Sequence, residues 1–145
     1  MTQEEKQLLF KDLCGRLPYG VMIQRDNCFG GKVTEKLNAH GLAYDETYGT
    51  FDSLNYKPYL RPMSSMTEEE LNECVRQSGI KDIECPNWQD IPKEEQFEAR
   101  LNFSIAVLLT DSNNIDWLNA HHFDFRGLIE KGLALEATEN MYKEN

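Results

Sequence analysis

A chain of 145 residues, 40% hydrophobic and 10% aromatic, is long enough to bury one core without disulfides or metal to staple it, and its composition lies outside the disordered regime. With 25 acidic against 15 basic residues the net charge is -10, and scattered Lys and Arg exclude duplex nucleic acid, whose phosphates demand clustered positive charge. The longest uncharged, mainly apolar run, Phe103 to Leu109, is far short of a membrane span, and Met1 to Lys6 carries no secretory leader pattern, so the expectation is a cytoplasmic protein without a membrane partner.

In chain order, Thr2 and Glu5 have the spacing of a capping box, and Phe10, Leu13, Cys14 and Leu17 follow at i, i+3, i+4, i+7. This predicts an opening helix with one apolar stripe, stopped by Gly15 and Pro18. Val21 and Ile23 alternate with polar neighbours, and Asp26 to Gly31 holds the Asn and Gly residues of a hairpin loop. Lys32–Leu37 and Tyr48–Leu54 are the next expected strands, separated by the His40-Gly41 region. The stretch from Tyr56 to Met66, with two prolines and two serines, is read as irregular but packed.

Thr67 and Glu70 form a second capping box, with Met66 placed to staple onto Leu71. Leu71, Cys74, Val75 and Ser78 are the inner face of the helix that follows, and Gly79 ends it. Residues 80–92 read as a polar connector. From Pro92 to Leu109 the apolar pattern fits a helix or a strand, and the acidic first turn after Asp90 tilts it to helix. Asp111 and Ser112 can cap a short helix reaching His122; turns and one short strand are expected from Phe123 to Ala137. The fold class is therefore α+β: a small antiparallel sheet of about three or more strands with about four helices, as one domain over 1–137 and a frayed tail over 138–145.

Cys14, Cys28, Cys74 and Cys85 are widely spaced, with no CxxC and no zinc-knuckle pattern, and are read as reduced thiols. Two segments concentrate chemistry. Tyr59, Arg61, Ser64 and Ser65 stand in one; Trp117, His121, His122, Asp124 and Arg126 stand in the other. Adjacent histidines diverge by about 100° on a helix, which disfavours a shared metal, and His122 is read as a core residue bonded to a backbone carbonyl. No nucleophile elbow, glycine-rich phosphate loop or catalytic cysteine signature occurs. A small anion wants guanidinium groups, hydroxyl donors and a stacking ring, which Tyr59, Arg61, Ser64, Ser65, Trp117, His121 and Arg126 supply. Salt bridges from Arg126 to Asp124 or Glu130 are the plainer alternative.

The segments Leu17-Pro-Tyr-Gly-Val21, Lys57-Pro-Tyr-Leu-Arg-Pro-Met-Ser-Ser-Met-Thr-Glu68 and Asp116-Trp-Leu-Asn-Ala-His-His-Phe-Asp-Phe-Arg-Gly-Leu-Ile129, with Gly132-Leu-Ala-Leu-Glu136, resemble an uncharacterised family of small proteins from gut Bacteroidales genomes, prophages and phages. The resemblance implies a phage-associated accessory protein that acts on host processes, defence included, by binding. No catalytic residue is carried over. The leading expectation is thus a non-enzymatic protein that sequesters a small anionic, nucleotide-like immune signal, without a cofactor. The alternatives are an acidic inhibitor or adaptor that meets a basic host protein, and, third, a small hydrolase. A homo-oligomer sharing its site between subunits is a further option.

Overall fold

The computed structural model describes residues 1–27, 29–77, 92–109 and 112–142, and the fold is α+β. The chain divides into two compact units, one formed by Met1–Met63 with Asn119–Asn145 and the other by Ser64–Leu118.

In the first unit, α1 (Gln3–Arg16) starts where expected: the Thr2 side chain accepts from the Glu5 N–H and the Glu5 carboxylate from the Thr2 N–H. Of the apolar stripe read from the sequence, Leu13 is fully buried and Phe10 and Leu17 pack against the core, but the most buried face is shifted. Leu9, Asp12, Leu13 and Arg16 face inward, at i, i+3, i+4, i+7, while Cys14 is exposed. Gly15 lies inside the helix, which ends at Arg16, two residues before Pro18 as expected; a 3-10 turn over Leu17–Tyr19 then closes on Gly20 with a φ of 71°.

Strands β1 (Met22–Asp26) and β2 (Lys32–Lys36) pair antiparallel around the expected glycine loop. The rest of the sheet departs from the expected meander. Tyr48–Leu54 is no strand: α2 (Ala39–Thr47) occupies the His40-Gly41 region, capped by Asn38 Oδ1 accepting from the Gly41 N–H at 3.0 Å, and turns follow it. The third strand is β3 (Lys57–Leu60), inside the stretch taken as irregular. The fourth, β4 (Leu135–Glu136), is the short strand expected in the tail and runs parallel to β3. The order is β2-β1-β3-β4, a mixed sheet instead of a purely antiparallel one.

Ile23 and Leu60 are buried on one face of this sheet, joined by Leu9 and Leu13 from α1, Leu42 from α2, and Phe51, Tyr56, Leu128 and Leu133 from the connections. Each such aliphatic side chain contributes roughly 1.5–3 kcal/mol. On the other face the Tyr59 hydroxyl meets Gln24 Nε2 at 3.2 Å. The tail expected to fray is tied down as far as Tyr142, whose hydroxyl donates to the Tyr59 carbonyl at 2.6 Å and accepts from the Met22 N–H at 2.9 Å.

In the second unit the Thr67/Glu70 capping box is present in both directions and opens α3 (Glu68–Gln77). Met66 and Leu71, the expected staple, are both buried, as is Cys74; Ser78, Gly79 and the connector through residue 91 lie outside the described residues. The ambiguous stretch is helix α4 (Lys93–Leu108), with Glu94 and Glu95 in its first turn favouring the dipole, and it packs on α3. Helix α5 (Ser112–Ala120) buries Trp117 and Leu118; Asp111 lies outside the described residues. No helix among the described residues is long and apolar enough to cross a membrane.

Candidate functional site

The two segments singled out in the sequence meet in part. Beyond β3, the Arg61 N–H donates to the His122 carbonyl and the Asp124 N–H to the Arg61 carbonyl, both at 2.8 Å, so Arg61 lies beside Phe123 as an isolated parallel bridge. The turn that follows is organised by Asp124, whose two carboxylate oxygens accept from the Leu128 and Ile129 N–H groups at 2.8 and 2.9 Å. Asp124 is therefore no partner for Arg126.

The partner of Arg126 is Asp12, from α1, at 2.6 Å. The same carboxylate holds Arg16 through its other oxygen at 2.8 Å, and Arg16 also donates to the Phe123 carbonyl at 2.7 Å. Asp12 and Arg16 have fully buried side chains, and that of Arg126 is 15% exposed. Two guanidinium groups thus share one buried carboxylate, and charge-assisted hydrogen bonds offset part of the lost hydration, although Arg16 Nη1 is buried without a hydrogen-bond partner. Both also lie over the Phe125 ring, at 4.3 Å for Arg126 and 5.5 Å for Arg16, while Arg61 lies 4.1 Å over Phe123. This is the architecture of a structural knot more than of a ligand cradle.

His122 follows α5 in the left-handed conformation, φ 64°, with its ring stacked 3.6 Å from that of Tyr142. It is buried, as read from the sequence, but its Nδ1 has no hydrogen-bond partner, so that nitrogen makes no bond to a backbone carbonyl. Burial first, then the positive charge of Arg16, lowers its pKa to about 4. His121 is half-buried, and Tyr59, Arg61, His121 and Arg126 all belong to the first unit. Ser64 and Ser65, exposed in a 3-10 turn, and buried Trp117 belong to the second. Among the described residues no three His, Cys, Asp or Glu side chains converge on a metal position.

Two hollows in the first unit involve residues the sequence did not single out. One, about 560 Å³, opens between α2 and the β1–β2 hairpin, against Ile23, Leu54, Tyr44 and Tyr56. Its polar groups are Arg25, paired with Glu35 at 2.6 Å, and Asp45, which accepts from the Thr50 hydroxyl at 2.7 Å and from the Tyr56 hydroxyl. Burial and that carboxylate push the Tyr56 phenol above its ordinary range.

The other hollow, about 390 Å³, lies where the start of α1 meets the residues leading into β3 and the Lys131–Leu133 turn. Lys6, Lys57 and Lys131 stand around it with Glu5 and Asp52, three positive charges against two negative. Lys6 is held by Asp52 at 3.3 Å, and Glu5 is engaged in the capping box. No signal in the sequence marks this site, because its lysines stand 51 and 74 positions apart and only the fold assembles them (57 - 6 and 131 - 57).

Comparison with family models, with curated proteins and with solved structures finds no match to this chain.

Proposed function

We propose that this is a non-enzymatic binding protein of phage or prophage type that sequesters a small anionic, nucleotide-like ligand, and that the ligand occupies the lysine-rimmed hollow. The carrying observation is that hollow itself: three lysines gather on a chain whose net charge is -10. Its volume lies within the roughly 300–1,000 Å³ of small-ligand sites. Lys57 and Lys131 bring charge that the two carboxylates there do not fully match, since Asp52 already holds Lys6. The phage setting rests on the motif resemblance. Arg126, engaged with Asp12, is set aside as a ligand residue in this reading.

Isothermal titration against pyrophosphate and a panel of cyclic and ADP-ribose-type nucleotides is the direct test. Saturable binding that weakens at least about tenfold in Lys57→Glu and in Lys131→Glu, the equivalent of 1.4 kcal/mol, supports the reading. Absence of binding by the whole panel, or binding indifferent to both variants, removes it.

A second reading, an acidic inhibitor or adaptor of a host protein, draws on Phe29, which is 94% exposed on the hairpin loop beside Gly30 and Gly31. An aromatic ring so presented is the kind of anchor that interfaces bury. Loss of host-protein capture in Phe29→Ser, with nucleotide binding absent throughout, is the outcome that prefers it.

A further inference from the structure

The larger hollow carries chemistry opposite to that of the lysine-rimmed one. Its charged residues are Arg25, Glu35 and Asp45, one positive and two negative. The Arg25 Nε is engaged with Glu35 at 2.6 Å, and its Nη1 reaches the Asp26 carbonyl at 3.4 Å. Asp45 is hydrogen-bonded by neutral hydroxyls, those of Thr50 and Tyr56, and the Arg25 guanidinium that acts on it through space is itself bonded to Glu35, so one cation serves two carboxylates. A carboxylate offers about four acceptor positions, and two of those on Asp45 are taken. The walls beyond these groups are apolar or aromatic: Ile23, Leu54, and the rings of Tyr44 and Tyr56. Tyr44 is 61% exposed, its ring 4.6 Å from that of Tyr48.

We infer that the hollow between α2 and the β1–β2 hairpin is a binding site for a small amphipathic cation, a primary amine carried on an apolar or aromatic body. The apolar body replaces water against Leu54 and the Tyr44 ring, over a floor closed by the buried Ile23 and Tyr56, and the ammonium group supplies the positive charge that Asp45 and Glu35 together lack. Tyr44 offers its ring face to the same cation. An anionic ligand of equal shape meets two carboxylates against one guanidinium that is already engaged, so the site discriminates by charge. This inference is independent of the anion reading above, since it concerns a different hollow and the opposite charge.

The probes are phenethylamine, phenethyl alcohol and phenylacetate, which share a ring and differ in charge. Titration calorimetry and amide chemical-shift mapping on the full chain are expected to show saturable phenethylamine binding, with shifts at Gly41, Tyr44 and Leu54. The alcohol is expected to bind at least about tenfold more weakly, a difference of 1.4 kcal/mol, and the acid not at all. Glu35→Gln, at a side chain 40% exposed, reduces the preference for amine over alcohol without touching the core.

Gly41→Leu is the blocking variant. A Cβ there meets no atom closer than 3.9 Å, on Asn38, and Gly41 does not have a positive φ, so a Cβ is accommodated and the longer leucine side chain is expected to occupy space in the hollow that Gly41 lines. Its expected result is loss of amine binding at unchanged or raised thermal stability. Equal binding of all three probes, no binding of the amine, or amine binding that survives Gly41→Leu overturns the inference.

Discussion

Arg126 Nη1 lies 2.6 Å from Asp12 Oδ1 although 114 positions separate them in the chain. The contact joins the first helix to the turn after Phe123, and Arg16 completes it from the other oxygen of the same carboxylate. Removing Asp12 leaves two guanidinium groups facing each other with no counter-charge, one of them fully buried. Asp12→Ala is expected to cost about 3–5 kcal/mol, read as a shift of the urea midpoint. Arg126→Ala is expected to cost less, because Asp12 keeps Arg16 and the Arg126 side chain is already 15% exposed. A smaller loss in Asp12→Ala than in Arg126→Ala would contradict the shared-carboxylate account.

Stability is expected to fall on mild acidification through His122. The folded imidazole titrates at about 4, depressed from 6.5 chiefly by burial. The unfolded chain therefore takes up a proton that the folded one refuses, and protonation favours unfolding. The contribution is intact above about pH 6.5, drains between 6.5 and 4, and stops falling below 4, where both states are protonated. At 1.36 kcal/mol per pKa unit the loss amounts to roughly 3 kcal/mol. His122→Asn, which tolerates the left-handed backbone, should flatten unfolding free energy across that window. An unchanged slope would assign the acid sensitivity elsewhere.

Tyr142 is expected to matter more than its position in the tail suggests. Its hydroxyl bridges the Met22 N–H and the Tyr59 carbonyl, from β1 and β3. Tyr142→Phe leaves the Met22 N–H without that acceptor, at a cost of about 1–3 kcal/mol in thermal or urea unfolding. Loss of hydrogen-exchange protection at the Met22 amide is the local signature.

The two described thiols should separate cleanly by alkylation. Cys14 is exposed and Cys74 buried, with the Cys74 thiol pushed up to about 11 mainly by burial. Burial and the nearby Glu46 also raise Cys14, so it reacts more slowly than a free thiol, yet it remains reachable. Peptide mass spectrometry after a brief iodoacetamide pulse should find Cys14 modified and Cys74 protected until denaturant is added. Equal labelling of both in the folded protein contradicts the burial assigned to Cys74.

What the sequence made legible was local. Thr2/Glu5 and Thr67/Glu70 are helix starts because a hydroxyl and a carboxylate three residues apart satisfy each other's backbone N–H groups, and both boxes are formed. The β1–β2 hairpin announced itself through its glycines. Strand β3 did not, because Pro58 argues against a sheet interior; it sits just before Tyr59, where pairing with β4 begins. Helix α2 was hidden by Gly41, although Asn38 carried the cap that starts it.

The site failed to show for a different reason. Charged residues at helical spacing read as a solvated face, and nothing short of the fold reveals that Asp12 and Arg16 turn inward to meet Arg126. The conspicuous Arg126 is thereby engaged by a buried carboxylate, while the lysines of the smaller hollow come from three distant stretches of chain.

The first unit is assembled from both ends of the chain, with residues 64–118 made in between. During synthesis, β1, β2 and β3 leave the ribosome long before β4 and Tyr142 exist to join β3. Until then Leu60 and its neighbours lack Leu128, Leu133 and the strand that completes the sheet. The nascent chain must therefore wait, with part of its apolar surface uncovered, and close its core only after translation has passed Tyr142. Such late, long-range closure slows folding and makes the half-made protein a natural client for chaperones.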